Sequence, residues 1–291
     1  MTLIVGRRNL NGVVHVVGDM RLTDPAEIRR GFPYAVLKNI ILGPNHLVAF
    51  AGNADLGMHT IRRLKDASID ELADGLSDSA KEAGGGLGGV DYLLAHTERG
   101  LERITASGVE GPTDAGWIGD PAAFEVYQRG YHAGPVPEPI WIEGVSPPRD
   151  QLGDPAAMEP FIRMAMGTYA LMEGESVASV GEVFVTANST RGFHYEQQGF
   201  FQADHEQEIG PEWTNLNWGT AAQGGFGFNL LPPKEPGIGA IGLYFPHGGL
   251  GLLYHPLAYD DALVYRRITH DEFRAAVAED HAIEIDGPRL A

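Results

Sequence analysis

The chain has 291 residues, a formal net charge of -18 and 43% hydrophobic residues, which supports a real core in one large domain or a domain with an elaborate extension. The acidity, with no Lys/Arg-rich run, excludes nucleic-acid binding through a basic surface. With 0 cysteines there is no thiol nucleophile, disulfide or thiolate metal site, and no stretch reads as a transmembrane span or a signal peptide.

The elements begin with Thr2, which opens a strand running to Arg7. Removal of Met1 would place a hydroxyl nucleophile and a free α-amine on one residue. An α-amine has an ordinary pKa of about 8, so near neutral pH it can serve as general base for its own side chain. Arg8-Asn9-Leu10-Asn11-Gly12 is a turn, because Asn and Gly tolerate positive φ. Val13 to Gly18 returns as a strand and delivers Gly18-Asp19-Met20-Arg21. Ala35 to Leu42 is an apolar strand with one lysine, Lys38. Gly43-Pro44-Asn45 is a turn, His46 to Gly52 a further strand, and Asn53-Ala54-Asp55 caps a helix through Met58, Ile61 and Leu64.

Ser68 to Ala83 has Ile69, Leu72, Leu76 and Ala80 on one face and predicts a second helix. The glycine run Gly84 to Gly89 lacks the Gly-Lys-Ser/Thr of a phosphate loop and reads as a connector. Val90 to Ala95 and Gly100 to Ile104 predict a hairpin, and Ala115 to Asp120 a short strand. Pro121 to Gly130 is a helix with Pro in its first turn. The Pro- and Gly-rich stretch Gly134 to Pro155, carrying Trp141, is an irregular insertion. Met158 to Met172 resumes a helix. Gly174 to Gly181 is a loop leading into the strand Glu182 to Ala187, and Gly192 to Gln197 pairs with it. Beyond lie Phe200, Phe201, Trp213 and Trp218, the loop Gln223 to Phe228, and strands at Ala240–Phe245, Gly249–His255 and Ala262–Ile268. Thr269 and Glu272 form a capping box for a final helix.

Four features in order resemble proteasome β subunits: the Thr after Met1, a hairpin ending Gly18-Asp19, Lys38 near a strand, and a strand ending Ala51-Gly52-Asn53-Ala54-Asp55 before a helix. The likeness is greatest to the bacterial form, HslV, which also starts directly with Met-Thr. It covers the first third strongly and continues more weakly through Val90–Ala95, Gly100–Ile104 and Ala115–Asp120, the last standing where the family has a Gly-Ser-Gly type turn.

The chemistry of an amide-cleaving threonine assigns roles to these residues, and the resemblance assigns the same ones. Thr2 supplies Oγ and the amine. Lys38 beside Oγ favours the deprotonated nucleophile and lowers the amine pKa. Asp19 pairs with Lys38 and fixes it. Gly52, at a strand end before a helix, suits an oxyanion donor. Singly, Thr2 is ordinary strand sequence, Asp19 a turn cap, Lys38 a solvated residue and Gly52 a close-packing position. Their order is what joins them. The segment between Asp19 and Lys38, with Arg29, Arg30 and Tyr34, is longer than in typical members. The resemblance also implies a Ser and an Asp near the amine. Ser179 matches the serine; the acid is absent from its expected place, with Glu175 or Ser176 as stand-ins.

The expected fold is α+β, two stacked antiparallel sheets flanked by helices. The resemblance makes this the four-layer αββα sandwich of the N-terminal-nucleophile (Ntn) hydrolases, over residues 1–198 with an insertion at about 131–155, followed by a C-terminal extension over 199–291. It further implies a threonine peptidase acting on polypeptide or peptide inside a homo-oligomeric ring, fed by an ATP-dependent unfoldase. A small-molecule amidase on the same fold and a catalytically silent scaffold subunit are the alternatives. The threonine reading requires a cytoplasmic chain, since a cleaved leader would remove Thr2. No cofactor is expected. No metal is expected either: the spacings of His194, His205, His247 and His255 match no common ligand pattern.

Overall fold

Val5 lies opposite Val17 in the N-terminal hairpin, where β1 (Leu3–Arg8) and β2 (Val14–Asp19) pair antiparallel. This is a computed structural model, and it describes residues 2–20, 36–86, 88–135, 155–173, 180, 183–202 and 226–287. The turn forms as its residues dictate. The Asn9 side chain accepts from the N–H groups of Asn11 and Val13 at 3.0 and 2.9 Å, and Gly12 takes φ 79°. The chain divides into two compact units, the first mainly residues up to His194 together with Pro236–Gly239, the second mainly residues from Tyr195 onward.

In the first unit β1 and β2 lie within a five-stranded antiparallel sheet, flanked by β8 (Ala115–Gly119) on one side and β9 (Phe184–Asn188) and the short β10 (His194–Tyr195) on the other. A second five-stranded sheet is a run of hairpins in chain order: β3 (Asn39–Gly43), β4 (His46–Gly52), β5 (Val90–His96), β6 (Gly100–Thr105) and β7 (Gly108–Thr113). The sequence reading missed β7. Its Gly108, Gly111 and Pro112 read as turn residues, yet an edge strand tolerates a missing N–H.

Alternation along β1 sends its side chains to two places. Leu3 and Val5, with Val17, form a buried cluster with Ala123, Tyr127 and Tyr131 of α3 (Pro121–Tyr131) and Met164 and Leu171 of α4 (Pro155–Glu173). Burying each Leu, Val or Met side chain there contributes roughly 1.5–3 kcal/mol. On the opposite face Gly6 leaves room for the second sheet: a β-carbon there would sit 2.9 Å from Leu101 and 3.0 Å from Leu93. The second sheet carries α1 (Ala54–Leu64), capped by Asn53, and α2 (Ile69–Ala83), capped by the Ser68–Glu71 box. A chain of buried hydroxyls, Thr60 to Ser79 to Tyr92 at 2.9 and 2.9 Å, ties α1, α2 and β5 together.

The second unit holds a third antiparallel sheet, ordered β11 (Gln198–Gln202), β12 (Phe226–Leu231), β13 (Ile241–Phe245), β14 (Leu250–Tyr254) and β15 (Leu263–Arg266). The expected loop Gln223–Phe228 is corrected here, because Phe226 to Phe228 belong to β12. The final helix, α5 (His270–His281), has the Thr269–Glu272 capping box and seats Phe273 over Gly251, where any β-carbon would overlap the ring. Asn229 in β12 is fully buried, and among the described residues neither its amide oxygen nor its nitrogen has a hydrogen-bond partner. No helix among the described residues is long and apolar enough to cross a membrane.

Candidate active site

The site grows from the first residues of β1 and the last of β2. Leu3 pairs with Gly119 on one side, and Ile4 with Gly18 on the other, so residue 2 emerges between the end of β2 and the end of β8. Gly18 is small because Asn39 fills the space above it: a β-carbon would lie 2.6 Å from Asn39 Oδ1. Asn39 in turn donates to the Val185 carbonyl at 2.9 Å. This contact brings the start of β3, and with it Lys38, over the end of β2. Lys38 precedes the strand rather than lying inside it, as the sequence suggests; its carbonyl accepts from Phe50 N–H at 3.2 Å, which anchors its backbone to β4.

Thr2, Asp19 and Lys38 come together. Lys38 Nζ donates to Thr2 Oγ1 at 2.8 Å and to Asp19 Oδ2 at 3.3 Å. The other Asp19 oxygen accepts from Leu3 N–H at 3.1 Å. Asp19 therefore grips both the lysine and the backbone directly after the threonine. All three residues are buried, at 2% exposure for Thr2, 1% for Asp19 and 5% for Lys38. Taking an ammonium and a carboxylate out of water costs several kcal/mol each, and only close pairing with further hydrogen bonds offsets that cost. Here the carboxylate has both, and the ammonium's second acceptor is a hydroxyl.

The Thr2 carbonyl is held as firmly. It accepts from Asp120 N–H at 2.7 Å. Gly119 has φ 110°, and any β-carbon there would collide with that carbonyl. Asp120 is buried and caps α3, its Oδ1 accepting from Ala122 N–H at 2.8 Å. In the sequence Asp120 reads only as a strand end. Asp before Pro at a helix start is a capping signal, and that signal conceals its position beside Thr2.

Gly52 ends β4 opposite Val90, with φ 108° and its main chain exposed. A β-carbon on it would strike Gly89 O, and the next residue, Asn53, donates to the same carbonyl at 2.9 Å. The glycine run that read as a bare connector thus supplies, through Gly89, a close partner for the Gly52 turn. Ser179, Glu175 and Ser176 lie outside the described residues, as do Arg29, Arg30, Tyr34 and Trp141. Among the described residues no group of three or more His, Cys, Asp or Glu is placed to hold a metal ion.

No family model matches the chain, and no curated protein is similar to it. Among solved structures it is similar to eukaryotic HslV from Trypanosoma brucei, at 17% identity, covering 64% of this chain and 98% of that chain, with a TM-score of 0.42.

Proposed function

We propose that the protein is an N-terminal threonine hydrolase that cleaves peptide bonds with Thr2 as nucleophile once Met1 is removed. The observation that carries this reading is the buried contact of Lys38 Nζ with Thr2 Oγ1, backed by Asp19. A cation donating to a hydroxyl oxygen stabilises negative charge as it develops there. In the proposed reaction the Thr2 hydroxyl gives its proton to the α-amine while Oγ1 bonds to the substrate carbonyl carbon. The resulting ammonium protonates the leaving amine as the C–N bond breaks, leaving an ester on Thr2. The free amine then draws a proton from water, which attacks the ester and releases the acid. Gly52 N–H, with no side chain in the way, serves as oxyanion donor, and Ser179 assists at the amine.

Further features belong to the same reading. The core spans residues 1–198 as an αββα sandwich, supported by α3 and α4 packing on Leu3, Val5 and Val17 and by the Leu93 and Leu101 contacts of Gly6. Residues 199–291 form an extension. The sites face the inside of a homo-oligomeric ring in the cytoplasm, supplied with polypeptide by an ATP-dependent unfoldase. A silent scaffold subunit is disfavoured by Lys38 and Asp19: a well-packed apolar pair there would be as stable or more so.

The test is covalent labelling with a peptidyl epoxyketone, which reacts with both Oγ and the amine. Peptide mapping should place the adduct on Thr2, with none in Thr2→Ala, and unfolded casein should be cleaved. An intact mass that retains Met1, or an unlabelled Thr2 in folded protein, overturns the proposal. Cleavage of small amides but not casein assigns the amidase alternative.

A further inference from the structure

Asp91 lies at the start of β5, directly opposite Ala51, the residue before Gly52. Asn53 N–H donates to Gly89 O at 2.9 Å and Thr97 N–H to Asn45 O at 3.0 Å, so the odd positions of β4 form the hydrogen-bonded pairs. Ala51 and Asp91 are one such pair, with α-carbons about 5.5 Å apart and side chains on one face of the sheet. Alternation tells which face. Leu93, two residues on, is the side chain that β-carbons on Gly6 and Gly116 would meet, at 3.0 and 2.9 Å, so Asp91 is directed into the gap between the two sheets. Lys38 stands at the same end of that gap: its carbonyl accepts from Phe50 N–H, Phe50 pairs with Tyr92, and its Nζ reaches Thr2 Oγ1. Thr2 and Asp91 therefore border one mouth, Thr2 from the first sheet and Asp91 from the second.

Among the described residues no hydrogen bond or ion pair reaches the Asp91 carboxylate. The side chain is half-buried, and burial pushes its pKa above the ordinary value, against the pull of Arg103. Arg103 is engaged elsewhere: its Nη1 meets Glu110 at 3.3 Å and its guanidinium lies over the Trp117 ring at 5.4 Å. Thr105, next in register on β6, turns its hydroxyl to Gly108 O at 3.5 Å. A carboxylate drawn partly out of water without a donor costs stability, and apolar residues such as Ala51 and Leu93 in the same row carry no such cost. Its position beside Gly52 makes it complementary to a cation that the substrate brings. We propose that Asp91 is a specificity-determining residue, its carboxylate taking an ammonium or guanidinium group of a peptide bound along Gly52. The inference rests on the hydrolase reading, which puts the peptide at Gly52.

The experiment measures peptide binding to the Thr2→Ala chain, which lacks the nucleophile. The probes are short N-acetylated, fluorescein-labelled peptides, alike except for lysine or norleucine on both sides of the central bond. Fluorescence anisotropy at physiological salt should give the lysine peptide a Kd about ten-fold tighter than the norleucine peptide. Adding Asp91→Asn or Asp91→Ser should bring that ratio to about one, with a melting temperature unchanged or raised. Asp74→Asn removes the same charge from the exposed side of α2 and should leave the ratio intact, which separates a local contact from general attraction to an acidic protein. A norleucine peptide with a free N-terminus that binds as tightly as the lysine peptide, dependent on Asp91, assigns the cation to the peptide's end. A ratio near one for both cationic peptides, or a preference that survives in a folded Asp91 variant, overturns the proposal. Turnover by wild type is read separately. A lysine preference that depends on Asp91 in a chain without turnover sinks the hydrolase reading and leaves the Asp91 contact standing; turnover with no preference does the reverse.

Discussion

Gly119 lies against Thr2 so closely that residue 119 has no room for a side chain: a β-carbon would overlap the Thr2 carbonyl oxygen. Its φ of 110° is also one that other residues rarely adopt. Gly119→Ala must therefore push residue 2 away from Lys38 or strain the backbone. The expected result is a loss of about 2 kcal/mol or more in a denaturant melt, together with loss of epoxyketone labelling. A stable, fully labelled Gly119→Ala protein would show that the end of β8 does not position the threonine.

Removing either charge of the buried pair should affect both stability and activity. Lys38→Ala leaves Asp19 buried without its cation, which costs about 3–5 kcal/mol. Turnover should fall by about 100-fold or more, as when an oxyanion donor is removed. Lys38→Met separates the two effects, because it retains the apolar stem. It should recover part of the stability and none of the turnover. Stability is read by denaturant titration and turnover on a fluorogenic peptide.

His15 should make the fold acid-sensitive. Its ring is buried and stacks on Phe161, and burial, with His194 nearby, pushes its pKa down to about 3 from the ordinary 6.5. The unfolded chain binds the His15 proton below pH 6.5, while the folded chain refuses it until about pH 3. Stability is thus fully present above pH 6.5 and is lost as pH falls, at up to about 1.4 kcal/mol per pH unit. His15→Gln, which does not titrate, should flatten the stability profile between pH 6 and pH 4 relative to wild type. Parallel profiles for the two proteins would refute this account.

Asn229 is a different case, a buried amide with no partner for either polar atom among the described residues. An apolar side chain of similar volume removes the desolvation penalty without opening a cavity. Asn229→Leu should raise stability by about 1–2 kcal/mol, measured by urea unfolding of both proteins. A lower stability would mean that the amide answers to a group bound in the native protein.

Much of the first unit was legible in the chain. The Asn9–Gly12 turn, the Asn53 cap and the apolar strand runs of β1 and β2, like the Thr269 cap in the second unit, are local signals, each set within a few residues. The strand β7 was not legible, because its Gly and Pro residues are read as turns unless one knows that it lies at an edge. The beginning of β12 was missed for a similar reason: Gly227, in a glycine-rich stretch of sequence, hides a strand that only pairing with β11 and β13 reveals. The candidate site was half legible. Thr2, Asp19 and Lys38 were named from their order, whereas Asp120 was hidden behind its role as a helix cap.

The amino-acid sequence by itself determined the hairpins, the helix starts and the presence of a threonine, a carboxylate and a lysine in a suggestive order. These follow from local backbone preferences and side-chain alternation, which act over a few residues. Only the tertiary structure decided that Lys38 Nζ lies 2.8 Å from Thr2 Oγ1 and that Asp120 stands across from Thr2. Those contacts bridge residues far apart in the chain, and they are set by strand register and by glycines at 18 and 119 that let neighbouring segments close on the threonine. Register and close approach are properties of packed pairs, and no single segment carries them.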